Sequence, residues 1–246
     1  MVRWRWSQPI LTHPHVSYFS SWGTFRNLSY AYLSGTTWCS GTWEVEPVEP
    51  ALSETGWGNS LALERTYPYT PHISYYDRAN GNLKHAWLSG TIWLSETVDS
   101  EGDVGWYTSL ALDSSALPHI SYFDATNDAL KYAWLSGATW FSETVDGVPW
   151  DAGSTALELN RADLPYISYY DATPGNQNLK LARFDGKVWI VQTVDSEGDV
   201  GQGSSLALDP VGCPHISYYD ATHSDLRYAY IPSYAVYMPL VMRNYP

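Results

Sequence analysis

Three tryptophans, Trp57, Trp106 and Trp150, each stand a few residues ahead of a short apolar run and close to acidic residues. The acids are Glu54 before the first, Asp99, Glu101 and Asp103 before the second, and Asp146 and Asp151 around the third. An indole face beside carboxylates suits a saccharide, because sugar C–H groups stack on the ring while carboxylate oxygens accept hydroxyl hydrogens. A second set of acids, Asp77, Asp124, Asp171 and Asp220, closes four copies of one heptapeptide and would crowd the same face. These seven residues are the candidate ligand-binding set. The plainer role of the four Asp residues is to cap turns through side-chain to backbone hydrogen bonds, and that of the Trp rings is to fill space between layers.

Other residues could support different chemistry. The run Asp99-Ser100-Glu101-Gly102-Asp103 returns as Asp195-Ser196-Glu197-Gly198-Asp199. Three carboxylates in five residues could offer oxygens to calcium, yet the order is not that of an EF-hand, and calcium takes about six to eight oxygen ligands. A solvated acidic turn is the expectation, so calcium is the one cofactor option and none is required. Glu158 is the candidate catalytic residue. It and Arg5 interrupt a position held elsewhere by Ala62, Ala111 and Ala207. A glycosidase needs two carboxyl groups roughly 5 to 10 Å apart, one with a raised pKa. No second singular carboxylate stands out, so a salt bridge or separate hydration of Arg5 and Glu158 is expected instead.

His15, His72, His119 and His215 follow a recurring Pro, with Tyr166 in the fourth copy. A catalytic or zinc-binding His is singular or clustered with other ligands, so one per copy reads as a hydrogen-bonding scaffold residue. Cys39 and Cys213 lack metal-ligand spacing, and two free thiols are expected in preference to a disulfide.

The elements that must carry these residues are set by the repeat. Pro71-His72-Ile73-Ser74-Tyr75-Tyr76-Asp77 recurs from Pro118, Pro165 and Pro214, with a weaker copy from Pro14, a unit of just under fifty residues. The third unit reads as four short strands, A to D: Ser109–Leu112, His119–Phe123, Leu130–Trp134 and Thr139–Val145. Turn residues separate them and no helical period is sustained. Four antiparallel strands per unit is the pattern of a β-propeller blade, and propellers have about 4 to 8 blades. The expectation is an all-β fold: one five-bladed β-propeller domain over 1–246, with four antiparallel strands per blade and blades at about 2–50, 58–99, 107–146, 154–195 and 203–242. The first strand A falls at Arg3–Trp6, and ungapped alignment puts the last strand D at about Val236 to Val241, with Val236 where Trp140 stands. In such a ring the D-to-A and B-to-C loops share one face, which is where the candidate Trp and Asp residues gather. The His and Asp of one heptapeptide lie at opposite ends of a strand, roughly 15 Å apart, too far to act together.

The heptapeptide, with Leu-Lys-Tyr-Ala-Trp and Ser-Leu-Ala-Leu-Asp around it, resembles the repeat of exported bacterial β-propeller proteins. The ending from Val236 to Pro246 is similar to a C-terminal tail of exported bacterial proteins, and the resemblance implies a secreted or cell-surface location. In blade number and repeat length the chain is similar to the tachylectin-type five-bladed lectins. The turns Leu88–Trp93 and Phe184–Trp189 resemble the Asp-box turn of sialidase-like propellers, with the aspartate supplied only by Asp185.

Composition narrows the partners. Lys plus Arg total 13 against 26 Asp plus Glu, a net charge of −13 that disfavours nucleic acid and anionic membrane surfaces. No stretch approaches eighteen apolar residues and the start carries no apolar run of signal-peptide length, so no membrane insertion is expected. Thirteen Trp and twenty Tyr beside five Phe favour rings with a polar handle. The reading that follows is a non-enzymatic, monomeric, secreted recognition module that binds glycans or a polar surface partner through its D-to-A and B-to-C loops. The alternatives are a structural or display propeller with no ligand, and a propeller-type glycoside hydrolase using Glu158.

Overall fold

In the computed structural model, residues 14–22, 25–34, 41–49, 55–66, 69–148, 153–232 and 240–242 are described. They form nineteen strands in five antiparallel sheets, with no helix among them. The first sheet holds β1 (His15–Trp22), β2 (Phe25–Ser34) and β3 (Thr42–Pro47). The second holds β4 (Thr55–Leu63), β5 (Pro71–Asp77), β6 (Asn82–Ser89) and β7 (Ile92–Asp99). The third runs through β8 (Val104–Leu112), β9 (Pro118–Asp124), β10 (Ala129–Ser136) and β11 (Thr139–Gly147). The fourth comprises β12 (Thr155–Leu159), β13 (Pro165–Asp171), β14 (Asn178–Phe184) and β15 (Trp189–Asp195). The fifth comprises β16 (Val200–Leu208), β17 (Pro214–Asp220), β18 (Asp225–Tyr230) and β19 (Leu240–Met242).

Each sheet is a meander of consecutive strands, and the leading strands β4, β8, β12 and β16 pack on one another in that order. The arrangement is propeller-like. The expected first strand at Arg3–Trp6, including Arg5, lies outside the described residues.

Each full heptapeptide copy is the second strand of its sheet, and β9 is one residue longer at each end than the His119–Phe123 strand read from the repeat. Its faces alternate for a packing reason. Tyr75, Tyr122, Tyr169 and Tyr218 point between sheets and are wholly buried, while small neighbours such as Ser121 and Ala133 leave room for rings from the adjoining layer.

Two expectations need correction. The leading strands begin earlier than predicted, at Thr55, Val104 and Val200, so Trp57 and Trp106 lie inside strands and not in the loops before them. Glycine is the reason. Gly105 sits at φ +107°, and a Cβ there would approach Leu83 Cα to 2.8 Å, so the strand start can lie against the previous sheet only without a side chain. Register shifts on either side of Trp57 and Trp106 mark the resulting bulges. The final strand is also displaced. Tyr230 pairs with Leu240, ten residues on, where Trp134 pairs with Phe141, seven residues on. Leu240, not Tyr237, therefore pairs as Phe141 does in the third sheet, and the expected strand positions Val236 to Pro239 lie outside the described residues.

Candidate functional site

The face carrying the D-to-A and B-to-C loops is built on a clasp that repeats at every described junction. Asp99, at the end of β7, accepts the Tyr122 hydroxyl at 2.6 Å and Lys131 Nζ at 2.5 Å, both from the third sheet. Asp146 takes Tyr169 at 2.6 Å and Lys180 at 2.9 Å, and Asp195 takes Tyr218 at 2.7 Å and Arg227 at 2.8 Å. Glu49 does the same with Tyr75 and Lys84. Burial pushes the Asp99 carboxyl up, but its bonds from Lys131 and Tyr122 outweigh that and hold it below the usual carboxylate range. Charge-assisted bonds made in a buried setting are the strong class, and here they bind one sheet to the next.

The four strand-end aspartates lie just behind this clasp. Asp77, Asp124, Asp171 and Asp220 are at most 5% exposed. One oxygen of each accepts backbone N–H groups of the following turn: Ala79 for Asp77, Thr126 and Asn127 for Asp124, Thr173 for Asp171 and His223 for Asp220. Three of them also face the clasp cation. Lys131 lies 3.9 Å from Asp124, Lys180 lies 3.0 Å from Asp171, and Arg227 pairs with Asp220. The geometry engages these carboxylates inside the fold.

The acidic loops are similarly committed. Asp103 accepts the Tyr76 hydroxyl at 2.7 Å and the Trp106 indole N–H at 2.9 Å, and Asp199 accepts Tyr170 at 2.7 Å and Gln202 at 3.2 Å. Thr126 and Thr222 receive the backbone N–H groups of Asp103 and Asp199 on their hydroxyl oxygens. Glu101 and Glu197 are exposed at the loop tips. Among the described residues no group of three His, Cys, Asp or Glu side chains is placed to hold a metal ion.

The tryptophans divide. Trp57 is 41% exposed, with Phe19 at 5.0 Å on one side and the Arg78 guanidinium 5.3 Å from its ring centroid. Trp106 is half-buried, 4.5 Å from Tyr76 and bonded to Asp103. Trp150 and Asp151 lie outside the described residues, as do Glu54 and Cys39. Cys213 is a buried free cysteine.

On the opposite face, the histidines join strands. His15, His119 and His215 bond through Nδ1 to Tyr30, Tyr132 and Tyr228. The second sheet replaces that tyrosine by His85, giving a chain Glu64–His72–His85–Glu96 with separations of 3.4, 3.0 and 3.2 Å. Burial, and then the neighbouring His85, press the His72 pKa down to about 4. Glu158 is half-buried, and burial raises its carboxyl above the usual range while Arg65 pulls it partly back. At the Asp-box-like turn, Asp185 accepts the Val188 and Lys187 backbone N–H groups, each at 2.9 Å, which lower its pKa.

The reading of the sequence missed the Tyr–Lys–Asp clasps. The signal was present: the basic residues Lys84, Lys131, Lys180 and Arg227 share the period of the heptapeptide, as do Glu49, Asp99, Asp146 and Asp195.

No family model and no curated protein matches the sequence. Solved structures do match in fold. The polysaccharide lyase Uly1 aligns with 97% of this chain and 72% of its own, at 10% identity and a TM-score of 0.54. A protein of unknown function from Dyadobacter fermentans aligns over 95% and 88%, at 12% identity and a TM-score of 0.52. A fucose lectin from Kordia zhangzhouensis, in complex with methyl-fucoside, aligns over 55% of this chain and 96% of its own, at 20% identity and a TM-score of 0.41. At these identities the similarity concerns the fold: an all-β, propeller-like protein.

Proposed function

We propose that this chain is a secreted carbohydrate-recognition module, a closed five-bladed propeller whose ligand face carries the D-to-A and B-to-C loops. The observation that supports the reading is Trp57, a 41% exposed indole fixed between Phe19 and Arg78 on that face. A ring held from the side is a platform for sugar C–H groups, and a guanidinium supplies donors to ring hydroxyls. Trp106 repeats the arrangement one sheet on, with Tyr76 and Asp103, and Trp150 continues it in the sequence. Asp77, Asp124, Asp171 and Asp220 serve this face by shaping its turns. Equivalent platforms on one monomer give avidity to a multivalent glycan.

A glycan array with and without calcium, followed by calorimetry on the retained sugars, tests the reading. Trp57→Ala is expected to weaken binding about tenfold or more while leaving the melting temperature nearly unchanged, since an exposed ring contributes little to the core. An array that retains nothing under either condition removes the proposal. The engagement of Trp106 with Asp103 and Tyr76 favours a second reading, a display module without a ligand, in which Trp57→Ala is silent. A hydrolase would lose turnover in Glu158→Gln, and requires a second carboxyl group where the named charge acting on Glu158 is Arg65.

A further inference from the structure

We infer that the junction between the fourth and fifth sheets, on the face opposite Trp57, is a binding site for a tryptophan side chain of a partner polypeptide. The three preceding junctions hold filled copies of the same slot. Trp93 reaches back to the first sheet, edge-on to Tyr30 at 5.2 Å, and donates to Glu46 at 3.1 Å. Trp140 lies edge-on to His85 of the second sheet at 5.6 Å, where His85 pairs with Glu96. Trp189 lies edge-on to Tyr132 of the third sheet at 5.3 Å and donates to Glu143 at 2.8 Å.

The fourth sheet presents the corresponding frame. Leu181 takes the register position of Tyr30, His85 and Tyr132, and its partner Gln192 takes that of Glu46, Glu96 and Glu143. No tryptophan follows Trp189 in the chain, so the fifth sheet brings no indole to this frame. A cavity of about 210 Å³ lies there, lined by Tyr166, Leu181, Arg183, Gln192, Cys213 and Ile231 among others. For scale, an apolar cavity of about 150 Å³ takes a benzene ring. Leu181 and Ile231 supply buried apolar walls, and the Gln192 amide oxygen is the acceptor an indole N–H needs.

The slot opens into an outer groove of about 480 Å³ that shares Tyr166, Val211 and Gly212 with it. At the third-to-fourth junction the equivalent loops are tied, because Ser114 donates from its backbone N–H and hydroxyl to Asp163 at 3.0 and 2.6 Å. One junction further, Arg161 holds the turn position of Ser114 and Gly212 that of Asp163, so the tie is lost. The outer groove can take the main chain beside the tryptophan. Arg161 and Arg183 line the two cavities of a chain whose net charge is −13, which favours acidic neighbours on that peptide.

The test is saturation-transfer NMR and calorimetry on the whole chain, with N-acetyltryptophanamide as the probe and N-acetylphenylalaninamide and methyl glucoside as comparators. Saturable binding through the indole protons is expected, with the phenyl amide weaker. Gln192→Leu should weaken the probe about fivefold, the equivalent of one neutral hydrogen bond. Leu181→Trp, which puts an indole into the slot from its own wall, should abolish binding. Should that variant fail to fold by circular dichroism, Gln192→Trp, which brings an indole to the slot from the outer strand, decides in its place. Trp57→Ala should leave this binding intact, which separates the site from the glycan face. The inference is overturned by an absence of saturable binding, by equal affinity for the phenyl amide, by displacement of the probe by methyl glucoside, or by full affinity in the slot-filling variants.

Discussion

The Trp189 indole N–H of the fourth sheet donates to the Glu143 carboxylate of the third at 2.8 Å, as Trp93 donates to Glu46 of the first, so an outer-strand indole grips the outer strand of the sheet before it. The ring also meets Tyr132 edge-on, which couples the apolar and polar halves of the contact. Trp189→Ala is expected to cost about 3 kcal/mol in urea denaturation, the low end for a truncated Trp because this one is half-buried. Trp189→Phe, which keeps most of the contact and loses the donor, should cost about 1 kcal/mol. Equal losses for the two would show that the hydrogen bond, not the ring, carries the contact.

The buried clasps predict an asymmetry between their members. Tyr122→Phe removes a bond to a charged acceptor and should cost about 1.5 to 3 kcal/mol. Lys131→Met leaves Asp99 buried without its cation and should cost about 3 to 5 kcal/mol. Chemical denaturation of both variants checks the order, and a harmless Lys131→Met would show that the clasp is solvated.

Two glycines at positive φ should respond differently to alanine. Gly105→Ala meets backbone strain and a 2.8 Å approach to Leu83 Cα, and should cost about 2 kcal/mol or more. Gly137 has φ +65°, and a methyl group added there would meet nothing within 4 Å, so Gly137→Ala should cost only about 1 kcal/mol. Matched denaturation curves decide this, and equal costs would discard the contact to Leu83 as the cause.

Acid should loosen the second sheet before the general carboxylate titration. His72 folds as the neutral form with a pKa of about 4, below its unfolded value near 6.5, so the unfolded chain binds the extra proton between those limits. The contribution is fully present above about pH 6.5 and is lost as pH falls toward 4, on the order of 3 kcal/mol in all. His119, also lowered by burial, acts in the same direction. Stability measured at pH 7 and pH 5 should fall less in His72→Asn than in the parent. An unchanged slope would mean that burial beside His85 does not hold His72 neutral.

Much of this is legible in the residues. The heptapeptide places β5, β9, β13 and β17 to within a residue at each end, because its Pro start and Asp turn cap are local signals. The role of Asp124 as a turn cap is local too, since it bonds Thr126 and Asn127 two and three residues away. Trp57 reads as a loop residue because the repeat marks the first strand only from its Ser-Leu-Ala-Leu run, whereas in the fold Gly56 lets a bulged strand begin earlier, against its neighbour.

By itself the sequence determined the all-β character, the repeating four-strand meander and the acidic, ring-rich composition, since these follow from local propensity and period. The tertiary structure alone decided which carboxylates meet which cations, as with Asp99 and Lys131, 32 residues apart and in different sheets. It also decided that Trp57 is open while Trp106 is tied down, and that the slot beside Leu181 and Gln192 is a cavity. Such relations depend on how successive sheets approach one another, and a period of just under fifty residues states that the sheets recur without stating which side chains fill the space between them.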